Sequence, residues 1–355
     1  MDAGLGLGTW ALGGSAWGRG PDRRSRLATI ERALEIGVRS IDTAPAYGEA
    51  EELLGEVLGA RRDQVELATK IGPGHDPEES LGNSLRNMRI DHVDVLFLHE
   101  CLDGWESQLE SMSALRERGL ATELGISNAT PEQISRGLEI APLEIYQGQY
   151  NLVDRDVEER HLPLLRRRGL GFWAYRPLAS GLLAGGQPAS EEGGSVRFPA
   201  GDHRGRIYWF RGRELERRRR VVAHLAELAV KAGSTVAALA LGWVMARPGV
   251  SVVLAGSRTV AQLDEAAAAT ALSSEEVTVI DGIVGEAFRP PRATSQALAS
   301  DWGERERFVV ERLDGEHAYE RIAAEWSSSR DQPMVAAQVK VFADDLAERG
   351  LVSDD

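Results

Sequence analysis

Residues 38 to 48 read Val38-Arg39-Ser40-Ile41-Asp42-Thr43-Ala44-Pro45-Ala46-Tyr47-Gly48. The first four combine β-branched side chains with a small polar one, which predicts a short strand that ends at the carboxylate of Asp42. Pro45 and Gly48 disfavour regular structure and predict a loop that carries Tyr47. We therefore expect the chemistry of the protein to centre on this strand end and its loop.

The same arrangement, a short apolar strand that ends at a polar residue, recurs along the chain. The polar strand ends are Asp42, Lys70, His99, Ser127 with Asn128, Gln147 and Tyr175. Most intervals between them are about as long as one strand and one helix, and apolar residues at three- and four-residue spacing predict the helices. This pattern predicts an α/β protein, a (β/α)8 TIM barrel, whose polar strand ends line one rim, where such barrels carry their sites.

Length and charge limit the organisation and the partners. A chain of 355 residues can hold one barrel of about 250 to 300 residues and a small appendage. The pattern changes near Pro290-Pro291, so residues 1–290 are predicted as the barrel and residues 291–355 as a C-terminal helical extension. A net charge of −14 disfavours nucleic-acid binding, which requires a basic face. The basic run Arg217 to Arg220 is interpreted as a solvated helix face.

Cysteine usage and hydrophobicity indicate the compartment. The sequence has one cysteine, Cys101, so no intrachain disulfide can form, which is typical of a reducing compartment. No basic stretch followed by an apolar one opens the sequence, and no run of about 18 apolar residues occurs, so neither a signal peptide nor a membrane span is predicted. We expect a cytoplasmic protein. Because no further ligands follow His99 and Cys101 at metal spacing, no metal site is predicted.

Six segments of the chain together resemble the aldo-keto reductase family. They follow the family's order and spacing over roughly residues 1–290, and they are Leu7-Gly8-Thr9-Trp10, Asp42-Thr43-Ala44 with Tyr47-Gly48, Ala68-Thr69-Lys70, Leu96-Phe97-Leu98-His99, Gly125-Ile126-Ser127-Asn128 and Tyr175-Arg176-Pro177-Leu178-Ala179-Ser180-Gly181-Leu182-Leu183. The resemblance implies an NADPH-dependent oxidoreductase that reduces an aldehyde or ketone to an alcohol by hydride transfer.

The resemblance also implies four catalytic residues, Asp42, Tyr47, Lys70 and His99. A carbonyl accepts hydride only when its oxygen is protonated or strongly polarised, so an acid must lie beside it. Tyr47 would be the proton donor, with a pKa lowered by the ammonium of Lys70. Asp42 would keep Lys70 charged through a buried ion pair, and His99 would hydrogen-bond the carbonyl oxygen.

The cofactor residues likewise follow from the resemblance. Ser127, Asn128 and Gln147 would hold the nicotinamide carboxamide, and Tyr175 would stack on the ring. An arginine at position 258 can pair with a 2′-phosphate, which favours NADPH over NADH. Arg176 and Ala266 depart from the family, which often has serine and asparagine there. The implied cofactor residues are Thr9, Trp10, Asp42, Ser127, Asn128, Gln147, Tyr175, Arg176, Pro177, Leu178, Gly181, Leu182, Gly256, Ser257, Arg258, Gln262 and Glu265.

A small-molecule carbonyl compound is the expected substrate. Its pocket is predicted to be built from Trp10, Trp17, Tyr47, His99 and Trp105, together with residues of the loop after Ser180. Such aromatic walls suit sugars, polyketide ketones and aromatic aldehydes about equally. The loop between residues 185 and 212 combines glycine, proline and aromatic residues, which predicts a partly ordered lid.

The C-terminal extension leaves several hypotheses open. Three short helices are predicted there, as in a winged-helix-like unit, and their Leu-Asp-Gly and Leu-Ala-Glu-Arg-Gly-Leu phrases resemble part of the peptide-binding chaperone family of pyrroloquinoline quinone biosynthesis. One hypothesis is a reductase whose extension packs on the barrel. A second is a natural-product tailoring reductase whose tail recruits a peptide or carrier protein. A third is a cofactor-binding regulatory subunit with little turnover.

Overall fold

The structure is a computed structural model, and it describes residues 3–14, 16–18, 20–185, 196–288, 292–293, 297–298, 302–315, 317–329, 334, 336–349 and 351–353. The chain divides into two compact units, Met1–Ile280 and Asp281–Asp355. The boundary predicted from the sequence, at residues 290 and 291, lies outside the described residues. It therefore stays a prediction.

In the described part of the first unit, eight parallel strands pair in sequence order and close into a barrel. Closure follows from β1, which pairs with both β2 and β8. The strands are β1 (Gly4–Gly8), β2 (Ser40–Asp42), β3 (Glu66–Ile71), β4 (Val93–Leu98), β5 (Ala121–Ser127), β6 (Leu143–Gln149), β7 (Gly171–Tyr175) and β8 (Val250–Ala255). The predicted (β/α)8 barrel is confirmed.

Helices alternate with the strands, as the three- and four-residue spacing of apolar residues predicts. Several begin at a side chain that accepts a hydrogen bond from a backbone N–H of the first turn, among them Asp22, Asp76 and Thr130. The helices described up to residue 288 are α1 (Arg23–Glu35), α2 (Ala50–Val57), α3 (Pro77–Met88), α4 (Trp105–Glu117), α5 (Pro131–Ile140), α6 (His161–Arg168), α7 (Gly212–Ala232), α8 (Val236–Met245), α9 (Val260–Ala267) and α10 (Ser274–Ala287).

Large aromatic side chains fill the barrel interior below the rim. The rings of Phe97 and Trp173 meet edge to face with centroids 5.5 Å apart. Gly125 makes room for this contact, because a Cβ at that position would lie 2.2 Å from the Phe97 ring. The interior is therefore a packed core that supports the polar residues at the strand ends.

The basic run in α7 differs from its prediction. Arg217 and Arg218 are buried, and both form ion pairs with Glu214, whereas Arg220 is exposed. Consecutive residues of an α-helix point in directions about 100° apart, so four in a row cannot share one solvated face. The interpretation of the whole run as a solvated face is therefore wrong.

Helices α7 and α8 also bear on the expected absence of a membrane span. Among the described residues, no single helix has both the length and the apolar composition of such a span. The two helices meet these criteria only as a pair, and they are bent by 94° at the turn between them. All residues of α8 are buried.

The second unit contains the predicted helical extension. Its described elements are α11 (Glu304–Val310), α12 (Tyr319–Ser329), α13 (Ala336–Glu348) and the antiparallel pair β9 (Arg292–Ala293) and β10 (Val352–Ser353). Apolar side chains of all three helices, among them Phe308, Trp326 and Leu346, form one buried cluster. The ring of Trp326 packs edge to face on Phe308 with centroids 5.2 Å apart. This unit therefore has a hydrophobic core of its own.

The floor of the barrel carries carboxylates whose negative charge is only partly balanced by nearby arginines. A cavity of about 990 Å³ is lined there by Glu66, Asp94, Glu123 and Glu144, among other residues of the strand starts. Asp94 and Glu144 each pair with an arginine, whereas Glu66 accepts a hydrogen bond from the hydroxyl of Ser40. Burial and neighbouring carboxylates raise the pKa of Glu66 and of Glu123. The ionised carboxylates of the floor therefore repel one another.

Replacement of Glu123 by glutamine is expected to stabilise the protein at pH 7. Because the folded state raises the pKa of Glu123, it binds the proton more tightly than the unfolded chain does, and ionisation costs stability above the raised pKa. Thermal unfolding at pH 7 should show a Tm higher by about 1 °C, a small value because the side chain is partly solvated. The gain should shrink as the pH falls towards about 4.

Glu117→Gln, an exposed position on α4, is the control and should leave the Tm unchanged. A Tm of Glu123→Gln at or below that of the wild type at pH 7 would show that the floor carboxylates do not destabilise the barrel.

Candidate active site

The barrel brings the four predicted catalytic residues to one rim. Asp42 ends β2, Lys70 lies one residue before the end of β3, and His99 follows β4 directly. Tyr47 ends a short 3-10 turn, Pro45–Tyr47, in the loop after β2. Parallel strands of a barrel all end at the same face, so side chains that are distant in sequence become neighbours there.

A cavity of about 590 Å³ opens at this rim. That volume lies within the usual range of small-molecule sites. The predicted site residues that line the cavity are Trp10, Trp17, Asp42, Tyr47, His99, Ser127, Asn128, Gln147, Tyr175, Arg176, Pro177, Leu178, Gly181, Gly256, Ser257, Arg258, Gln262 and Glu265. Ser180 of the predicted cofactor segment and Arg204 of the predicted lid also line the cavity. Glu100 lines it as well and was missed, because the strand-end pattern selected only its neighbour His99.

Four predicted residues lie elsewhere among the described residues. Lys70 and Leu182 are buried behind the cavity wall, and the hydroxyl of Thr9 donates a hydrogen bond to the carbonyl oxygen of Asp42 at 2.9 Å. Trp105 is the first residue of α4 and is not part of the cavity wall. The proposed substrate contact of Trp105 is therefore not supported, because its side chain belongs to an outer helix rather than to a strand end.

A buried ion pair lies at the cavity wall, with Asp42 in the wall and Lys70 behind it. The carboxylate of Asp42 accepts hydrogen bonds from Nζ of Lys70 and, at 2.7 Å, from Nε2 of Gln147. Lys70 donates a further bond of 2.8 Å to the carbonyl oxygen of Thr43. Burial lowers the pKa of Lys70, and the charge of Asp42 acts against this effect. The ammonium thus depends on Asp42 for its charge.

The pKa of Tyr47 is raised, whereas the sequence predicted that Lys70 would lower it. Nζ of Lys70 lies 5.0 Å from the centre of the Tyr47 ring, close enough for an interaction with its face. Burial and the charge of Asp42 nevertheless raise the pKa of Tyr47 well above its ordinary value. Asp42 compensates the ammonium, so the phenol keeps its proton. The cation that lowers the pKa of Tyr47 is Arg176.

His99 completes the group as a neutral imidazole. Its ring meets the Tyr47 ring edge to face, with centroids 5.9 Å apart. Burial, and then the charge of Lys70, lower the pKa of His99 to about 3. A neutral imidazole carries one N–H, so His99 can donate one hydrogen bond to a ligand in the cavity without bringing a second positive charge.

Polar groups at the neighbouring strand ends line the cavity, and only some of them have hydrogen-bond partners among the described residues. Asn128 joins two strand ends, because its Nδ2 donates to the carbonyl oxygen of His99 at 3.0 Å and its Oδ1 accepts from the phenol of Tyr175 at 2.7 Å. The hydroxyls of Ser127 and Ser180 are buried and have no partner within the described parts of the chain. Both residues line the cavity, and their hydroxyls can therefore serve a polar ligand.

The backbone after β7 is strained. Ala179, Ser180 and Gly181 have successive φ values of 47°, 57° and 91°, and Arg176 has a φ of 50°. A left-handed conformation costs an ordinary residue roughly 1–2 kcal/mol, and such strain concentrates at functional sites. Ser180 and Gly181 line the cavity, so the strained conformation of this segment serves ligand binding rather than stability.

Part of the predicted lid packs against the loop after β1. The backbone N–H and the Nδ1 of His203 both bond to the carbonyl oxygen of Ala16, at 2.9 and 2.8 Å. The His203 ring also lies 4.4 Å from the Trp10 ring and 4.2 Å from the Trp17 ring, measured between centroids. Residues 196–211 are thus anchored over the aromatic wall, and residues 186–195 lie outside the described residues.

Two guanidinium groups are neighbours at one part of the cavity wall. Burial and the charge of Arg204 lower the pKa of Arg258. Arg204 also pairs with the buried Asp202, with Nη2 and Oδ2 2.7 Å apart. The backbone N–H of Arg258 donates to Oε1 of Gln262 at 2.9 Å, which links it to the start of α9. Two neighbouring cations at one wall favour a bound anion.

Comparison with known proteins agrees with this geometry. The sequence model of the Aldo/keto reductase family matches residues 4–284. The chain belongs to the aldo-keto reductase family. As a member of it, the protein is an oxidoreductase, as the six sequence segments predict.

Two characterised relatives cover most of this aldo-keto reductase. Aldo-keto reductase YhdN of Bacillus subtilis (strain 168) is 33% identical over 308 residues, which are 81% of this chain and 91% of that protein. NADH-specific methylglyoxal reductase of Escherichia coli (strain K12) is 28% identical over 301 residues, 75% of this chain and 89% of that protein.

Solved structures of the family resemble the barrel. Glycerol dehydrogenase AKR11B4 from Gluconobacter oxydans has a TM-score of 0.71 and 30% identity, over 80% of this chain and 92% of that one. An aldo-keto reductase from Klebsiella pneumoniae in complex with NADPH has a TM-score of 0.63 and 26% identity, over 80% of this chain and 95% of that one.

Breaking the buried ion pair is expected to destabilise this aldo-keto reductase. Lys70→Met leaves the buried carboxylate of Asp42 without its cation, and urea denaturation should show a loss of about 3 kcal/mol. Asp42→Asn should cost a similar amount. The double variant should lose clearly less than the sum of the two, because it leaves no unpaired charge. Additive losses would show that the two groups do not depend on each other.

Proposed function

We propose that the protein is an NADPH-dependent carbonyl reductase that converts an aldehyde or ketone into an alcohol, with Tyr47 as the proton donor. The observation that carries the proposal is the meeting of a protonated phenol, a neutral imidazole and a buried ion pair at one cavity wall. These groups suit a reaction in which negative charge develops on a carbonyl oxygen.

The side chains of the rim suit a nicotinamide dinucleotide. The two buried serine hydroxyls, of Ser127 and Ser180, would meet polar groups of the cofactor, and the ring of Tyr175 would support the nicotinamide. Arg258 with Arg204 would meet a 2′-phosphate, and this pair favours NADPH over NADH. When bound, NADPH supplies the hydride. Relatives differ, since one is named NADH-specific and another was solved with NADPH.

The protein groups would handle the proton and the developing charge. As negative charge grows on the carbonyl oxygen, the phenol of Tyr47 donates its proton to it; the raised pKa keeps that proton available at neutral pH. His99 donates a hydrogen bond to the same oxygen as a neutral group. The ion pair of Lys70 and Asp42 holds the ammonium beneath the Tyr47 ring, where it opposes the charge left on the phenolate.

The proposal also covers the location of the protein and bears on the two other functional hypotheses. A chain with Cys101 as its one cysteine suits a reducing compartment, and we place the protein in the cytoplasm. The complete set of four catalytic side chains argues against a regulatory subunit without turnover. Recruitment of a peptide or carrier protein by the second unit stays a prediction, and it forms no part of the proposal.

Tyr47→Phe is expected to remove most turnover and to leave cofactor binding intact. The variant keeps the ring but lacks the proton, so kcat with an aldehyde panel should fall by at least about 100-fold. The Kd for NADPH, measured by quenching of tryptophan fluorescence, should change by less than about twofold. Tyr208→Phe, an exposed phenol, is the control and should retain full activity. Normal reduction by Tyr47→Phe would disprove the assignment of the acid.

Arg258→Gln is expected to remove the preference for NADPH. In the wild type, fluorescence titration should give a Kd for NADPH at least about tenfold below that for NADH, since one charge-assisted pair contributes roughly 1.5–3 kcal/mol. In the variant the two values should converge through weaker NADPH binding. Equal wild-type affinities would contradict the assigned role of Arg258. Absence of binding by either cofactor would contradict the proposed function as a whole.

A further inference from the structure

We infer that Arg176 makes this enzyme select carbonyl substrates that carry a carboxylate, by binding that anion at the wall of the active-site cavity. The inference rests on the proposed carbonyl reduction and names its substrate class. It concerns a residue whose side chain the catalytic steps above do not use.

The guanidinium of Arg176 has an incomplete set of partners. Its Nη1 donates to Oε1 of Gln149 at 2.9 Å, whereas its Nε is buried and has no acceptor among the described residues. No carboxylate oxygen of a described residue lies within 4.0 Å of the guanidinium. A partly buried cation with a buried, unpaired donor is unfavourable unless an anion completes it. Arg176 lines the cavity, so a ligand in the cavity can supply that anion.

The surroundings of Arg176 hold the guanidinium in place without neutralising it. Gln149 accepts from Arg176 and donates through its Nε2 to the carboxylate of Asp154. The carboxylate of Asp154 thus bonds to Gln149 and not to Arg176, and its charge acts on the guanidinium only from a distance. The backbone is fixed as well, because Nδ2 of Asn151 donates to the carbonyl oxygen of Arg176 at 3.1 Å and Pro177 follows. A fixed, uncompensated cation in a partly desolvated wall is an anion-binding group.

Arg176 lies close to the catalytic phenol. Its Cζ is 5.1 Å from the centre of the Trp10 ring, and that ring is 6.3 Å from the Tyr47 ring, measured between centroids. The charges of Arg176 and Tyr47 act on each other's pKa. A molecule that places a carbonyl at Tyr47 can therefore reach Arg176 with a second, anionic group.

The phosphates of the cofactor have other candidate partners. In the proposed function Arg258 and Arg204 take the 2′-phosphate, and the buried hydroxyls of Ser127 and Ser180 meet other polar groups of the cofactor. These groups leave Arg176, on the Trp10 side of the cavity, for the substrate. A carboxylate matches the planar fork of a guanidinium, so the preferred substrates are oxo acids and aldehyde acids rather than neutral sugars or ketones.

The test compares acids with neutral isosteres that differ only in charge. One pair is 4-carboxybenzaldehyde and 4-carbamoylbenzaldehyde, and a shorter pair is phenylglyoxylate and its amide. With NADPH at constant ionic strength, the wild type should prefer the acid of at least one pair by about tenfold or more in kcat/KM. Arg176→Gln should lose this preference, mainly through a higher KM, and Arg176→Lys should keep part of it.

Two further measurements separate the possible causes. Arg206→Gln removes an exposed guanidinium of the same segment as Arg204 and should retain the full preference, which excludes a general effect of surface charge. The Kd for NADPH, from tryptophan fluorescence, should change by less than about twofold in Arg176→Gln. The opposite result would be tenfold weaker NADPH binding in Arg176→Gln, with kcat/KM reduced equally for the acid and the amide. It would assign Arg176 to the cofactor and overturn the inference.

A wild type that does not distinguish acid from amide in either pair would also overturn it. Calorimetric titration of the NADPH complex with benzoate and benzamide provides a measurement that needs no turnover. If no carbonyl is reduced but benzoate binds the wild type more tightly than Arg176→Gln, the proposed reduction fails while the anion site stands. If carbonyls are reduced but benzoate and benzamide bind alike, the anion site fails and the reduction stands.

Discussion

The buried ion pair between Lys70 and Asp42 is the interaction on which the rest of the site depends. Two charges beneath the rim would destabilise the barrel unless each were paired and hydrogen-bonded. The carbonyl oxygen of Thr43 and the amide of Gln147 complete those bonds. The pair thus links β2 and β3 to β6, three strands that meet only when the barrel is closed. The closed barrel and the proposed chemistry therefore both require this ion pair.

The balance of charge between Lys70 and Asp42 also determines the protonation state of the Tyr47 phenol. An isolated ammonium beside Tyr47 would favour the phenolate, but here Asp42 balances the ammonium and burial disfavours any further charge. The phenol and the imidazole of His99 are therefore both neutral. Such a site starts the proposed reduction with its proton in place and with hydrogen-bond donors directed at the carbonyl, rather than with preformed charges that the reaction would have to remove.

Among the described residues of the barrel unit, charges that nearby opposite charges only partly balance lie at the floor and at the rim. Their consequences differ. At the floor, carboxylates such as Glu66 and Glu123 repel one another and lower the stability near neutral pH. At the rim, Arg176 faces the cavity without a carboxylate of its own among the described residues. The floor charges are partly solvated, and their cost is small. The rim cation is partly buried as well, but it lines the active-site cavity, where a bound anion can pair with it.

The sequence by itself determined the barrel and most of the residues at its rim, because a parallel barrel repeats one strand and one helix and places a polar residue where each strand ends. Asp42, Lys70 and His99 could be read from that repeat. The tertiary structure alone decided that the pKa of Tyr47 is raised rather than lowered, that Trp105 lies off the cavity wall, and that Glu100 lies on it. Charge compensation, burial and loop position depend on neighbours distant in sequence, and no local pattern encodes them.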